Sequence, residues 1–263
     1  MHRIADAYGG HMLKKKLIIS PFNLVFWFIS LFFVGVLTVM TLTIKGRDME
    51  FRKTFYIAVC LFNCVSFFLY KYELSRDREY DEERQFIGGF SWWGELPFHL
   101  CNINMTLMPL AVFFGFRPLM SFCFFMGPLG ALMALLLPAP TFDEAYLFLP
   151  RILGYYGTHY MIIVEAMALL TFGFYYPEYS DVPKAFLALI VISLLAHCLN
   201  TVIRRRGIYN HANYFYTMET EQIPALDMLY RFIPHPLFYE LPLFPFSLIY
   251  MYLVVFFFGL IRK

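Results

Sequence analysis

Residues 95–105 read ELPFHLCNINM and open an apolar run that continues to residue 114. The run is apolar enough for a membrane helix, yet its first turns carry His99, Cys101, Asn102 and Asn104. Polar side chains are costly at membrane depth and usually face the interior of a helix bundle or a wet cavity. This cluster is therefore the first candidate for chemistry.

The composition of the chain is that of a membrane protein. Of its 263 residues, 60% are hydrophobic and only 15% are charged, whereas about a quarter of a soluble domain is charged. The formal net charge is +2, and no basic patch alternates with aromatic residues, so nothing indicates nucleic-acid binding. All five cysteines lie inside apolar runs, and their odd number there does not fit a disulfide framework. We expect Cys60, Cys64, Cys123 and Cys198 to pack as small apolar residues and treat Cys101 separately.

Seven apolar stretches are long enough for membrane-spanning helices, which need about 20 residues each. They cover residues 18–42, 54–70, 96–114, 119–137, 152–175, 184–203 and 241–261. The first is too long for the apolar core of a signal peptide and lacks a cleavage site of small residues, so we expect a retained helix. The sequence predicts an all-α, polytopic membrane protein. A polar tail over residues 1–17 precedes a single seven-helix transmembrane domain over 18–263.

Two connections between these stretches stand out. Residues 71–95 alternate charges of both signs, which predicts a solvated helical extension rather than a binding patch. Residues 207–240 form a long, half-polar connection, and long ordered loops are often functional. Most of the 21 Lys and Arg residues fall in the N-terminal tail and in the connections on its side. The positive-inside rule therefore favours a cytoplasmic N-terminus and a C-terminus outside.

Polar residues from three distant segments are predicted to meet at one membrane face. His99 and Cys101 open the third span, and His159 lies in the first two turns of the fifth. Two crossings separate these helix starts, so both face the same side. The loop after the sixth span, with Asn213 and Tyr214, lies on that side as well. We therefore expect a shared polar cavity sheltered from the acyl chains of the bilayer.

Cys101 and a histidine form a candidate nucleophile–base pair for acyl transfer. A thiol near a helix N-terminus feels the positive end of the helix dipole, and a neighbouring imidazole favours the thiolate further. In a regular helix His99 and Cys101 point about 200° apart, which favours His159 as the base. A first turn loosened by Pro97 would let His99 turn inward too, so both histidines stay candidates.

Three motifs carry a resemblance to a known family: LPFHLCN at 96–102, TH at 158–159, and NYFY at 213–216 followed by PALD at 224–227. Together, and in this order, they resemble the YwaF-like integral membrane proteins over roughly residues 20–260. The wider family includes an ether-phospholipid acyltransferase with a cysteine nucleophile, and distantly similar membrane proteins hydrolyse fatty-acid esters. The resemblance implies a bacterial cell membrane and lipid acyl chemistry. It implies Cys101 as nucleophile with His99 or His159 as base.

Five further residues are predicted to bind substrate: Asn102, Asn213, Tyr214, Glu165 and His197. Glu165 lies near the middle of the fifth span, where a lone carboxyl is neutral, paired or functional, and it replaces an apolar residue expected in the family. His197 lies one turn from Asn200 on the sixth span, and hydrogen bonding between helices is the structural alternative for both.

Three functions remain open from the sequence. The first is an intramembrane acyltransferase or lipid-ester hydrolase acting on phospholipid or another acylated lipid through Cys101 and a histidine. The second is a non-catalytic lipid or small-molecule transporter or receptor that uses the same cavity. The third is a metal-dependent hydrolase with His99, His159 and His197 or His211 as zinc ligands, although no H-x-x-x-H spacing supports it. We predict a membrane lipid as substrate, no cofactor, no metal and no nucleic-acid partner.

Overall fold

The computed structural model describes residues 17–85, 88–221 and 223–261, and these residues are overwhelmingly helical. The α-helices in this part of the chain are α1 (Leu24–Ile44), α2 (Met49–Leu74), α3 (Arg78–Glu83), α4 (Leu100–Phe114), α5 (Arg117–Leu136), α6 (Pro150–Thr171), α7 (Val182–Arg205), α8 (Pro224–Phe232) and α9 (Leu243–Ile261). Two short strands, β1 (Ile18–Ile19) and β2 (Ala145–Tyr146), pair antiparallel. The predicted all-α class is confirmed. The predicted polar tail lies outside the described residues, except for Leu17.

Five segments are long and apolar enough to cross a membrane: Leu24–Ile44, Met49–Leu74, Arg117–Leu136, Tyr179–Arg205 and Phe238–Leu260. The chain is therefore an integral membrane protein. Two other helices match predicted spans but fall short of that standard. The first, α4, has only 15 residues, or about 22 Å at the usual helical rise. The second, α6, is 22 residues long but carries Arg151, His159 and Glu165.

The bundle has inner and outer helices. In the span of α5, 61% of residues are buried inside the protein, whereas the spans of α1 and α9 are each only 11% buried. A helix that is apolar all round and exposed in the isolated protein is suited to lipid contact. On α2 the buried residues follow helical spacing, with Tyr56, Cys60, Phe67 and Leu74 on one face. This face packs against α6, which also contacts α1, α4 and α5.

A glycine sets how closely α2 and α6 approach each other. A Cβ atom on Gly154 of α6 would lie 2.4 Å from both Cβ and Cγ of Tyr70 on α2. Real Cβ atoms essentially never come so close, and the Tyr70 Cβ cannot move without its backbone. Tyr70 also neighbours Lys71 in α2, so this contact fixes the end of α2 beside the first turns of α6.

Four chain segments meet at the end of the bundle where α4 and α6 begin, which we call the loop end. β1 and β2 pair there. The Arg151 guanidinium at the start of α6 binds Asp77 at 2.8 Å and Glu79 at 2.7 Å. The Tyr214 hydroxyl donates to the backbone carbonyl of Trp93. These contacts join four segments at one end: β1, the stretch with Asp77 and Trp93, the β2 stretch before α6, and the stretch with Tyr214.

Two sequence predictions need correction. The solvated extension predicted over residues 71–95 holds only in part: Arg76, Arg78, Glu79 and Glu82 are exposed, but Lys71 and Glu95 are 7% and 9% exposed and pair with each other. An alternating charge pattern cannot reveal a partner 24 positions away. The first span begins at Leu24 rather than residue 18, because residues 18–19 pair with β2 and the Asn23 side chain accepts from the Phe26 N–H to cap α1.

We expect Gly154→Ala to destabilise the protein by about 1–3 kcal/mol, the usual cost of overpacking a tight contact. Gly157→Ala, one turn further along α6, is the matched control because nothing lies within 4 Å of its added Cβ. Thermal unfolding of both variants in detergent tests this. Equal melting temperatures for the two variants would contradict the close approach of α2 and α6.

Candidate functional site

His99 lies just before α4 rather than inside it. Its backbone is extended (φ −74°, ψ 154°), and it occupies the N-cap position without a side-chain capping bond. The first backbone hydrogen bond of the helix runs from Ile103 N to His99 O at 2.8 Å. In a regular helix His99 and Cys101 would point in different directions. That argument does not apply here, because Cys101 lies in the helix and His99 does not. The Pro97 segment leaves the His99 side chain free of the helical-face constraint.

Cys101 is the second residue of α4 and is half-buried. The thiol donates to Asn102 Oδ1 at 3.6 Å, and the backbone N–H groups of Cys101 and Asn102 face the sulfur. N–H groups in a first helical turn lack intrahelical partners and carry the positive end of the dipole. These N–H groups favour a thiolate, whereas burial of the sulfur opposes it. Among the described residues, no direct hydrogen bond joins the Cys101 thiol to an imidazole.

His159 is buried on α6, and its orientation is fixed by the backbone. Its Nδ1 lies 2.7 Å from the carbonyl oxygen of Tyr155, and the two rings have centroids 4.5 Å apart. A carbonyl only accepts, so Nδ1 carries the hydrogen, and in the neutral ring Nε2 then keeps its lone pair. His159 is thus held in the tautomer that a general base requires.

Tyr155 links His159 to Cys101. Its hydroxyl donates to the Ala134 carbonyl at 2.6 Å, which anchors the ring between α6 and α5. The hydroxyl lies within electrostatic range of both Cys101 and Tyr216. The Tyr155 ring therefore packs against His159, and its hydroxyl is close enough to Cys101 for the two groups to interact electrostatically. We refer to Cys101, His99, His159, Tyr155 and Tyr216 as the Cys101 site.

Gly130 on α5 leaves space beside the Cys101 backbone. A Cβ atom at Gly130 would lie 3.2 Å from Cys101 N and 3.3 Å from its Cα. Gly130 has no positive φ angle, so its backbone conformation does not require glycine. The absence of a side chain matters here because it keeps the N–H of Cys101 accessible.

The loop after α7 closes over His99. Tyr214 and Tyr216 place their rings 5.9 Å and 5.2 Å from the imidazole centroid. The loop is fixed to α7 through Asn200, whose amide accepts from Tyr214 N at 2.9 Å and donates to Tyr214 O at 2.9 Å. The predicted site residue Tyr214 thus contacts His99, while its own hydroxyl is bound to Trp93.

A buried ion pair lies next to the site, and the sequence did not reveal it. Lys71 Nζ is 2.5 Å from Glu95 Oε2, and the Tyr80 hydroxyl donates to the other carboxylate oxygen at 2.6 Å. Arg84 follows at 3.9 Å. Burial by itself raises the pKa of Glu95, but Lys71, Arg84 and the two hydrogen bonds outweigh it and hold the pKa at about 2. The only sequence signal was the position of Glu95, four residues before His99.

The Lys71 charge reaches all three residues proposed for chemistry. Cys101, His99 and His159 each lie within its electrostatic range. A nearby cation favours a thiolate over a thiol. Lys71 and the helix N-terminus therefore both favour a negative sulfur, and they offset part of the cost of burying that charge.

Two predicted substrate-binding residues serve the loop. The Asn213 amide donates to Glu219 O at 2.8 Å and to Glu221 Oε1 at 2.9 Å, and its oxygen accepts from two backbone N–H groups. His197 Nδ1 lies 3.2 Å from the Thr217 hydroxyl oxygen, which also accepts from Asn200 at 3.0 Å. Both side chains form hydrogen bonds that hold the loop in place, and the structure does not bring them to the Cys101 sulfur.

Glu165 lies deeper, six residues beyond His159 on α6, or about 9 Å along the helix axis. It is fully buried, and neither carboxyl oxygen has a partner at hydrogen-bonding distance and angle in the described part of the chain. The Asn63 amide of α2 faces it, and that amide nitrogen also lacks a complete bond. No basic side chain contacts Glu165 there, so of the three expectations for this carboxyl, ion pairing does not apply.

No group of three His, Cys, Asp or Glu side chains within residues 17–85, 88–221 and 223–261 is arranged to hold a metal ion. The zinc alternative therefore lacks a ligand set in this region. The cysteines in the same residues are all unpaired, with Cys60 and Cys123 buried and Cys198 exposed.

The chain belongs to the TMEM164 family, whose model matches residues 17–261. This match covers every described helix and strand, including the three motifs singled out in the sequence. No curated protein and no solved structure matches the chain significantly. The expected kinship with YwaF-like proteins stays a prediction, and the family established is a membrane protein family.

We expect Glu95→Gln to cost about 3–5 kcal/mol of stability at neutral pH, because it leaves the buried Lys71 ammonium without a counter-charge. Glu82→Gln is the control, since Glu82 is exposed. The pKa of Glu95 is lowered to about 2, so its charge stabilises the fold fully above pH of about 4.5, and this contribution is lost as the pH falls toward 2. Thermal unfolding should show the difference between wild type and Glu95→Gln shrinking across that range. If the stability difference between wild type and Glu95→Gln stayed the same at every pH, the ion pair would not be the source of that difference.

Proposed function

We propose that this member of the TMEM164 family is an intramembrane acyl-transfer enzyme. It acts as an acyltransferase or lipid-ester hydrolase on phospholipid or another acylated lipid. One observation carries the proposal: Cys101 begins a partly buried helix with free N–H groups facing its sulfur, and His159 is held as a base at the same end of the bundle. The YwaF-like motifs agree with this assignment, because they contain the same cysteine and histidines.

The proposal includes a membrane arrangement. α4 and α6 join the five established spans to complete a seven-helix bundle, with the N-terminus in the cytoplasm of a bacterial cell and the C-terminus outside. α4 is short because its N-terminus begins inside the protein, near Glu95 and the Tyr214–Tyr216 turn that packs on His99. A lipid ester that reaches Cys101 therefore leaves the bulk bilayer and enters a site enclosed by protein.

In the first half-reaction the Cys101 thiolate attacks the carbonyl carbon of a lipid ester. His159 Nε2 has accepted the thiol proton. A carbon–sulfur bond forms, and the carbonyl π electrons move to oxygen. When the tetrahedral intermediate collapses, the carbonyl re-forms and the carbon–oxygen ester bond breaks. The leaving alkoxide takes the proton from the imidazolium, which leaves an acyl thioester and a free alcohol.

The second half-reaction reverses these roles. The hydroxyl of an acceptor lipid, or water, attacks the thioester carbonyl while His159 takes its proton. The carbon–sulfur bond breaks, and the returning thiolate recovers that proton through the imidazole. The product is a new ester if a lipid hydroxyl attacks and a free fatty acid if water does. The enclosure of the site favours the lipid acceptor by limiting water.

The geometry favours His159 over His99 as the base. A catalytic base needs a third group that orients it, and the Tyr155 carbonyl does this for His159 at 2.7 Å. His99 has no such partner, because its buried Nδ1 is without a hydrogen bond in the described residues. His99 instead packs against the rings of Tyr214 and Tyr216, and in the proposed reaction its Nδ1 meets a substrate hydroxyl or ester oxygen. Asn102, through its bond to the thiol, orients the nucleophile.

One observation favours the alternative of a lipid or small-molecule transporter or receptor. Glu165 and Asn63 place incompletely bonded polar atoms deep inside the protein, and ionisable residues at membrane depth often mark a transport path. A transporter requires these residues and does not require the Cys101 thiol. The two functions therefore differ in which substitution abolishes them.

Replacing Cys101 by Ser or Ala should abolish acyl labelling, because the thioester cannot form. The full chain is reconstituted in phosphatidylcholine vesicles whose acyl chains carry an alkyne, and labelling that neutral hydroxylamine removes is measured. Cys198→Ser is the matched control, since this exposed cysteine lies on α7. Undiminished labelling in Cys101→Ala would rule out the proposed nucleophile.

Gly130→Ala should slow the same labelling by about 10²-fold, because its added methyl group sits against the Cys101 N–H that would stabilise the developing oxyanion. The control is Gly35→Ala on α1, where nothing lies within 4 Å of the added Cβ. Labelling of Gly130→Ala at the wild-type rate would show that this N–H takes no part.

A further inference from the structure

We propose that the hydroxyl of Tyr216 donates a hydrogen bond to the substrate oxyanion formed on attack by Cys101. This assignment rests on the proposed acyl-transfer function and adds a catalytic residue to it. The starting point is the unusual backbone of the loop after α7. Phe215 and Tyr216 are consecutive non-glycine residues with φ angles of 60° and 62°.

Left-handed backbone is unfavourable for bulky aromatic residues and costs about 1–3 kcal/mol per residue. Such strain persists only where neighbouring contacts enforce it. Here the Tyr239 hydroxyl donates to the Tyr216 carbonyl, Tyr216 N donates to Asn213 O at 3.0 Å, and Leu237 N donates to Thr217 O at 2.6 Å. These bonds hold the two residues in a conformation that directs the Tyr216 ring toward His99, with 5.2 Å between the ring centroids.

The hydroxyl of Tyr216 differs from those of its neighbours. Tyr214 donates to the Trp93 carbonyl, Tyr155 to Ala134 and Tyr239 to Tyr216 itself. By contrast, the Tyr216 hydroxyl has no hydrogen-bond partner within residues 17–85, 88–221 and 223–261. It lies within electrostatic range of the Cys101 thiol and the Tyr155 hydroxyl. A phenol that is oriented but has no acceptor, beside a nucleophile, is available to a substrate oxygen.

The chemistry of a phenol suits this role. Burial raises the pKa of Tyr216, and Glu221 and Cys101 add to the effect, so the hydroxyl keeps its proton at physiological pH. It donates to the oxyanion of both tetrahedral intermediates without transferring that proton. The N–H groups at the start of α4 approach the same oxygen from the protein interior. Two kinds of donor then share the negative charge, as in other acyl-transfer sites.

The test compares two reactions of Cys101 in the full chain reconstituted in vesicles. The first is thioester formation from phosphatidylcholine with an alkyne-tagged acyl chain, which passes through an oxyanion. The second is alkylation of Cys101 by iodoacetamide, followed by peptide mass spectrometry, which forms no oxyanion. Tyr216→Phe removes only the hydroxyl, and Tyr252→Phe on α9 is the matched control because that tyrosine is 43% exposed.

We expect Tyr216→Phe to slow thioester formation by about 10²-fold, as loss of one oxyanion donor does elsewhere, while alkylation proceeds at the wild-type rate. Equal acylation rates in wild type and Tyr216→Phe would overturn the assignment. So would a parallel loss of acylation and alkylation, because the residue would then act on the thiol. If wild type forms no thioester although iodoacetamide alkylates Cys101, the acyl-transfer function itself fails, and this assignment fails with it.

Discussion

The ion pair between Lys71 and Glu95 is the constraint on which the loop end depends. An unpaired charge in that buried position would cost several kcal/mol, so each partner requires the other. Lys71 belongs to the last turns of α2, and Glu95 belongs to the segment that leads into α4. Their contact, supported by Tyr80 and Arg84, therefore fixes the segment that leads into α4 against the end of α2. It also places a permanent positive charge within range of Cys101.

The consequence is that α4 starts close to buried charged groups of the protein. A helix N-terminus exposed to water satisfies its free N–H groups with solvent. At the start of α4 the surroundings are the Lys71–Glu95 pair, Gly130 of α5 and the strained loop after α7, so the N–H groups face the Cys101 sulfur. Enclosure strengthens every electrostatic interaction in the site because the local dielectric constant is low. Every helix has unpaired N–H groups at its N-terminus. In α4 these groups lie next to the candidate nucleophile.

Much of this architecture could be predicted from the sequence, because membrane helices follow from the length of apolar runs. The predicted third and sixth stretches differ from α4 and α7 only at their ends. The motif around His99 and Cys101 marked the start of α4. What could not be predicted were partners distant in the chain. The charge pattern of residues 71–95 is that of a solvated helix unless the burial of Lys71 and Glu95 is known. A backbone carbonyl orients His159, and the sequence does not show backbone contacts. Gly130 matters because it has no side chain beside Cys101, and the sequence does not show which helices lie that close. Asn213 looked like a lining residue because its four loop hydrogen bonds are invisible in sequence.

The proposed acyl transfer requires Cys101 and a histidine side chain to share one enclosed site at the loop end. The most direct measurement is the distance between the Cys101 sulfur and the nearest imidazole nitrogen in an experimental structure of the full chain in a lipid nanodisc. We expect His159 Nε2 to lie within about 5 Å of the sulfur, the reach of a hydrogen bond bridged by one water. A separation beyond about 8 Å from both His159 and His99, with neither ring able to rotate toward the sulfur, exceeds that reach and would contradict it.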